Sequence, residues 1–247
     1  MKYCLLVPHY NHHRQFLEFL PRLESLGLDC IIVDDGSAAE SVEALENYIQ
    51  SKSHLHLFRH RRNRGKGAAV KTGLINARLL GFSHAVQIDA DGQHNQQDVI
   101  SFVELSQQHP ASIICGKPVF DESVPKVRLH GRKITTFWVC LETLSNKIKD
   151  GLCGFRVYPL DVVEELFDRY YFGCRMDFDT EMLVKAVWYN IGLKFVDTRV
   201  IYPKASVSHF HYLRDNLILI KLHVRLMLGM LVRSPLLLLN HFRKARQ

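Results

Sequence analysis

The densest chemistry in this 247-residue chain lies in Asp89-Ala90-Asp91-Gly92-Gln93-His94. Two carboxylates stand one residue apart, followed by a glycine that lets the chain turn and by an amide. Hard oxygen ligands of this kind suit Mg²⁺ or Mn²⁺, and an ion held by Asp89 and Asp91 can also hold a diphosphate. Gln93 comes off the same turn and can reach that ion or its phosphates, with a plain turn as the alternative reading. Such a cation neutralises charge growing on a departing leaving group.

Three other polar segments carry residues of comparable promise. Pro8-His9-Tyr10-Asn11 and Asp34-Asp35-Gly36-Ser37 each follow an apolar run. Carboxylates placed there, Asp34 and Asp35, can accept from the base or ribose of a nucleotide. Gly36 permits the turn and Ser37 can cap the next helix, so a plain turn and cap is the competing reading. In Arg61-Arg62-Asn63-Arg64-Gly65-Lys66-Gly67 two glycines and a lysine open a helix. Backbone N–H groups at a helix start, with Lys66 beside them, make an anion site. The glycines are too close together for a P-loop, and a solvated basic turn is the alternative.

The elements that must hold these residues follow from hydrophobic spacing. Cys4–Pro8, Asp29–Val33, Leu55–Phe58, His84–Ile88 and Ser112–Cys115 read as strands. Arg14–Leu26, Ser41–Ile49, Gly67–Leu80 and Val99–Ser106 read as helices between them. Strands alternating with helices at this spacing predict an α/β fold with a mostly parallel sheet flanked by helices. Ligands of such sheets sit beyond the carboxyl ends of the strands, where the segments after strands one, two and four lie.

Taken together and in order, Pro8-His9-Tyr10-Asn11, Ile32-Val33-Asp34-Asp35-Gly36-Ser37, Asn63-Arg64-Gly65-Lys66-Gly67 and Asp89-Ala90-Asp91-Gly92-Gln93 resemble the nucleotide-sugar-binding half of glycosyltransferase family 2. The resemblance is to the branch that includes dolichol-phosphate mannose synthase. It implies a GT-A, Rossmann-like fold over residues 1–212, with a donor half at 1–120 and an acceptor half at 121–212. It also implies a UDP- or GDP-sugar donor and inversion at the anomeric carbon. By the same resemblance Asp35 matches the nucleoside-contacting aspartate, and Asp89, Asp91 and Gln93 match the metal and diphosphate region. Pro8, Tyr10, Asn11, Asp34 and Lys66 join the expected donor-binding set.

The second half resembles the family less closely. Asp150-Gly151-Leu152-Cys153-Gly154-Phe155-Arg156 looks like the segment before the acceptor-side strand, with Gly154 allowing close approach and Arg156 either structural or facing the acceptor. Asp179 and Glu181, in Phe178-Asp179-Thr180-Glu181-Met182, stand where relatives carry an acid at a helix start. Either is the candidate base for a hydroxyl acceptor, and helix N-terminal capping is the competing role. A phosphate acceptor is already ionised and needs no strong base. Arg128 and Arg132, four apart on a predicted helix, share one face. They are candidates for acceptor phosphate, with a solvated basic helix start as the alternative. His209, after the last predicted strand at Lys194–Tyr202, stands where some relatives place a histidine near the metal or diphosphate and is a further candidate there, with a histidine packed on the surface as the alternative.

Composition sets the context. The formal charge of +7 is confined to the end of the chain: from Arg199 onward nine Lys/Arg face one acid, Asp215, while residues 1–198 carry 23 basic and 24 acidic groups. This argues against a nucleic-acid-binding domain and for a local anionic partner such as a membrane surface. Within the tail, 213–247, Leu213, Leu217, Ile220, Val224, Leu228 and Leu231 recur at helical steps, with Arg214, Lys221 and Arg225 on another face. One reading is a helix packed on the domain with its basic edge in solvent. The other, favoured by the charge, is a hairpin broken at Pro235 and lying in the cytoplasmic leaflet, close to a lipid-linked or glycan acceptor. Charged residues interrupt any bilayer span. The start runs straight into a strand without a signal-peptide pattern, so the expected location is cytoplasmic and peripheral on the membrane. Six scattered cysteines read as small buried hydrophobes. Two rival classes stay in view. A nucleotidyltransferase wants a glycine-rich, arginine-containing loop after the first strand, which Pro8-His9-Tyr10-Asn11 does not supply. A non-catalytic membrane- or nucleic-acid-binding protein would rely on the tail alone.

Overall fold

Alternation along the first strand shows how the layers form. In Tyr3–His9 (β1), Cys4 and Leu6 enter one core while Tyr3, Leu5 and Val7 enter the other. A strand that is apolar on both faces must be covered on both. The structure is a computed structural model and describes residues 1–120, 124, 126–200 and 212–244. Asp29–Asp34 (β2), Leu55–Arg59 (β3) and His84–Gln87 (β4) complete the parallel part of the sheet. Ile113–Phe120 (β5), Arg156–Pro159 (β6) and Leu193–Val200 (β7) complete the seven-stranded sheet, whose order is β3-β2-β1-β4-β6-β5-β7. β6 runs antiparallel to β4 and β5, and β7 runs parallel to β5.

The chain walks outward from β1 to β3, then returns across β1 to place β4 on its other side. The order therefore reverses at β1 and β4, which opens a crevice above their carboxyl ends. Helices His13–Glu24 (α1), Ala39–Ile49 (α2) and Asp98–Gln108 (α4) cover one face. Lys66–Leu79 (α3), Lys126–Thr143 (α5), Leu160–Arg169 (α6), Asp177–Trp188 (α7) and Tyr212–Lys244 (α8) cover the other. The α/β expectation holds, and the predicted elements lie within a few residues of the observed ones. β5 is the exception, running five residues past the expected end at Cys115. Gly116-Lys117-Pro118 interrupts the apolar run, but those residues pair with β7 and their side chains need no core.

α7 is buried all round, from Phe178 to Trp188. A helix without a solvent face is a central one, and α3, α5 and α8 pack around it. That placement carries Asp179 and Glu181 into the interior.

α8 corrects the hairpin reading: the helix continues through Pro235 as one rod. It has two apolar faces. Leu222, Leu226, Met230 and Leu237 enter the core beside Trp188 and Val187. Gly229 lies against the Trp188 ring so closely that a Cβ would stand 2.7 Å from it. His223 Nδ1 pairs with Glu142 Oε1 of α5 at 2.7 Å, and Arg225 Nη2 with Glu181 Oε1 of α7 at 2.8 Å. The stripe picked out by sequence, Leu217, Ile220, Val224, Leu228 and Leu231, is the other face, and each of these residues is more than half exposed. Leu226→Ala is therefore expected to cost about 2–5 kcal/mol in denaturant unfolding. Leu228→Ala, two residues away, should change stability by no more than about 0.5 kcal/mol. Equal losses would mean that α8 does not pack by this face.

Candidate active site

The turn after β2 is built by its own carboxylates. Asp34 accepts from His9 Nδ1 at 3.0 Å and from the Ser37 amide at 3.0 Å, and the Ser37 hydroxyl donates to it as well. Burial works to raise the Asp34 carboxyl, but these donors outweigh it and hold the group below the usual carboxylate range. Asp35 accepts from His60 Nδ1 at 2.7 Å and from the backbone amides of Arg64 and Gly65 at 2.9 and 2.7 Å. It thus folds the Arg61–Gly65 loop back over β2. Gly36, at φ +76°, faces the Arg62 backbone, where a Cβ would stand 2.4 Å from the carbonyl carbon. Asn11, itself at φ +56°, links the first two loops: its amide donates to Ser37 Oγ and its side-chain oxygen accepts from the Ala38 amide, both at 2.9 Å. Pro8 closes in on this turn from β1, and Tyr10 is partly exposed beside it. The segments predicted for a nucleotide therefore meet at one edge, with Asp34, Asp35 and Asn11 also serving as its scaffold.

Lys66 begins α3 and points to the end of β4. Its Nζ lies 2.7 and 2.9 Å from the two oxygens of Asp89 and 3.6 Å from Asp179 Oδ2. Burial alone would lower the Lys66 ammonium. The charges of Asp89 and Asp179 outweigh burial and hold it above its ordinary range. For Asp89 burial raises and Lys66 lowers, and the net is a carboxyl below its ordinary value. Asp91 lies at the exposed rim and accepts from the Gln93 amide at 3.0 Å. The surrounding protein and the Asp89 charge push its carboxyl up to about 6.

Two carboxylates that repel each other at the mouth of a crevice fit a divalent cation that takes its other oxygens from a diphosphate and water. Among the described residues no three His, Cys, Asp or Glu side chains gather as a closed metal cage. A divalent ion on these two carboxylates would take its remaining oxygens from substrate and water. Asp89 and Asp91 would hold it.

The remaining sequence candidates separate by whether their polar atoms are already engaged. Glu181 is fully buried. It accepts from Lys185 Nζ at 2.6 Å, from Arg225 Nη2 at 2.8 Å and from the Gly173 amide at 2.7 Å. Those partners fasten α7, α8 and the loop before α7 to one another, and they leave Glu181 no path to a substrate proton. Asp179 is different. It is nearly buried, and its Oδ1 has no hydrogen-bond partner among the described residues, with Arg156 Nη1 4.0 Å away. Arg156 is fully buried and donates to the carbonyls of Cys153, Gly151 and Asp179. Its part is to support the loop; it offers no free charge to an acceptor. Arg132 makes a two-pronged contact with Asp150 at 2.6 and 2.8 Å, and Asp150 also accepts from the Leu152 and Cys153 amides. Arg128 lies on the same helix, but its side chain lies outside the described residues, as does all of His209.

Several contributors were not singled out by sequence. His9 and His60 brace the paired aspartates, and Asp150 anchors Arg132; their signal was only proximity to the motifs. Gln87, two residues before Asp89 and so on the same side of β4, is fully buried with neither amide atom hydrogen-bonded among the described residues. A polar residue ending an apolar strand in register with a motif carboxylate was the available clue.

Comparison with known proteins supplies the family and the fold. A model for glycosyl transferase family 2 matches residues 4–167. A dolichyl-phosphate beta-glucosyltransferase of Dictyostelium discoideum is 31% identical over 210 residues, covering 76% of this chain; the match spans 63% of the relative's own length. A UDP-N-acetylglucosamine–dolichyl-phosphate N-acetylglucosaminyltransferase of Methanococcus voltae is 30% identical over 225 residues, covering 83% of this chain and 87% of that one. The fold is shared with glucosyl-3-phosphoglycerate synthase from Mycobacterium tuberculosis in complex with UDP, at a TM-score of 0.67 and 14% identity over 93% of this chain and 79% of that one. It is also shared with the mannosyltransferase PcManGT from Pyrobaculum calidifontis in complex with GDP-Man and Mn²⁺, at a TM-score of 0.56 and 15% identity over 83% and 58%. Ordered motifs, a GT-A sheet and the family match converge: the chain belongs to glycosyltransferase family 2.

Proposed function

We propose that this protein transfers a sugar from a UDP- or GDP-sugar to a lipid-linked phosphate at a membrane surface, with inversion at the anomeric carbon. The observation that carries the reading is the meeting of Lys66, Asp89, Asp91 and Asp179 above the carboxyl end of β4. Two of these carboxylates come from the donor motif and one from the second half of the chain. The relatives named for dolichyl-phosphate acceptors support the acceptor class.

In this account the nucleotide lies over the turns after β1 and β2, and its diphosphate reaches Lys66 at the start of α3, where backbone amides and the ammonium favour an anion. Bound Mg²⁺ or Mn²⁺ would offset charge growing on the departing nucleoside diphosphate. The bond from the anomeric carbon to the diphosphate breaks as an acceptor oxygen bonds to the opposite face. A phosphate acceptor arrives ionised, so Asp179 takes no proton and its carboxylate orients the sugar hydroxyls instead. With a hydroxyl acceptor Asp179 would take the proton.

The membrane setting rests on α8. Its exposed apolar stripe continues onto α5, where Ile134, Phe137, Trp138 and Leu141 are also exposed, and Trp138 lies 6.1 Å from the His223 ring. Among the described residues no helix is long and apolar enough to cross a bilayer. An apolar face beside basic residues suits the anionic cytoplasmic leaflet, where each Lys or Arg contributes about 1 kcal/mol.

Three outcomes follow. With a UDP- or GDP-sugar, polyprenyl phosphate and Mn²⁺, Asp91→Ala should cut kcat/KM by about a hundredfold or more, the scale of losing one electrostatic stabiliser of the transition state. Unchanged turnover would remove Asp91 from the cation site. Asp179→Asn should lose turnover while keeping its melting temperature, and Glu181→Gln should lower the melting temperature; the reverse pattern would exchange their roles. Full-length protein should float with anionic vesicles, and Val224→Glu/Leu228→Glu should not. Flotation unaffected by that pair of charges would sink the membrane face. Point changes are the cleaner test, because truncation after Tyr212 would also strip the core of Leu222 and Leu226.

A further inference from the structure

Gln87 is polar, fully buried and unpaired at the floor of the crevice. It sits at the last position of β4, opposite Leu6 of β1 and Arg156 of β6. Its side chain is 0% exposed, and neither Oε1 nor Nε2 has a hydrogen-bond partner among the described residues. Gly154 explains what surrounds it. A Cβ at that residue would stand 2.7 Å from Lys66 Nζ, 2.9 Å from Gln87 Nε2 and 3.4 Å from Asp89 Oδ1. The bare face of a glycine thus lets an ammonium, an amide and a carboxylate converge. In this arrangement Lys66 Nζ lies 2.7 and 2.9 Å from the Asp89 oxygens, Asp89 Oδ1 accepts no hydrogen bond among the described residues, and the amide beside it is unpaired.

Buried polar groups are nearly always hydrogen-bonded, and an exception asks for a reason. The free protein gains nothing from this amide, since an apolar side chain of the same size would avoid its desolvation penalty. The gain must lie in another state. When a diphosphate draws Lys66 away, Asp89 loses its ammonium partner, and the neighbouring Nε2–H₂ is a ready donor. We propose that Gln87 is a positioning residue for the donor complex: its amide takes over Asp89 once Lys66 turns to the diphosphate, holding that carboxylate in place for its ligand. This inference rests on the donor site proposed above, and Gln87 acts through Asp89.

The test compares wild type, Gln87→Met and Gln87→Glu by thermal unfolding and by titration with UDP and with GDP in the presence of Mn²⁺. Wild type should be stabilised by one of the two nucleotides. Gln87→Met, which keeps the volume and removes the amide, should melt at the same temperature or higher without nucleotide. It should bind that nucleotide about tenfold more weakly, the loss of one charge-assisted hydrogen bond. Gln87→Glu keeps an oxygen and loses the N–H, so it should lose at least as much affinity. Wild-type affinity in either variant would overturn the proposal. So would a Gln87→Met protein that melts lower or fails to fold, because the amide would then serve the free state. If wild type itself responds to neither nucleotide, the donor-site reading fails and this inference falls with it, a result distinct from a change confined to the variants.

Discussion

One ammonium between carboxylates from two halves of the chain organises the crevice. Lys66 sits at the start of α3, Asp89 just after β4 and Asp179 in the first turn of α7, and the three meet beside the place where the sheet reverses order at β1 and β4. The approach is close because the backbone there is bare. Gly65, at φ +101°, would collide with the Cys174 carbonyl if it carried a side chain, and Gly67 would collide with Phe178 Cβ. The Ala68 amide donates to that same carbonyl at 2.9 Å, so the loop before α7 is stitched to the turn that carries Lys66. The first and second halves of the chain are joined at the place where the chemistry is proposed to occur.

Around this centre, charged and polar groups divide into those already satisfied and those left with capacity. Glu181, Arg156 and the Arg132–Asp150 pair are enclosed by partners, and removing one member of such a set leaves the other uncompensated. They hold loops and helices in register. Asp179, Asp91 and Gln87 retain unpaired or mutually repelling atoms, an arrangement that a ligand would relieve. The same division runs through α8. One apolar face is consumed by Trp188 and the α7 core, and the other continues outward with the exposed part of α5. Arg225 connects the two scales, since it reaches Glu181 from α8 and Glu181 in turn holds the Gly173 amide of the loop that abuts Lys66.

Much of this was legible in the sequence because it rests on local pattern. Apolar runs buried on both faces gave the parallel strands, and the polar segments after β1, β2 and β4 marked the crevice. The second half was harder. β6 is a four-residue strand set antiparallel by long-range pairing, and β5 runs on through Lys117 and Pro118 because β7 supplies its partners. The resemblance placed Asp179 and Glu181 together at a helix start, but only the partners each meets inside the buried α7 separate the carboxylate with an unbonded oxygen from the fastened one. The α8 stripe was found correctly as a periodic feature. Its companion stripe at Leu222, Leu226 and Met230 was masked, since a helix apolar on two faces shows no single moment.

On the proposed function, the crevice above β1, β2 and β4 holds a nucleotide-sugar with its diphosphate between Lys66 and the Asp89–Asp91 pair. A crystal structure with a UDP- or GDP-sugar and Mn²⁺ tests it most directly. The expected electron density shows the nucleoside over the Asp34–Ser37 turn, Mn²⁺ on Asp89 and Asp91, and the Lys66 ammonium moved from Asp89 to a phosphate oxygen. A nucleotide bound elsewhere, or a Lys66–Asp89 pair unchanged beneath a bound diphosphate, would contradict it.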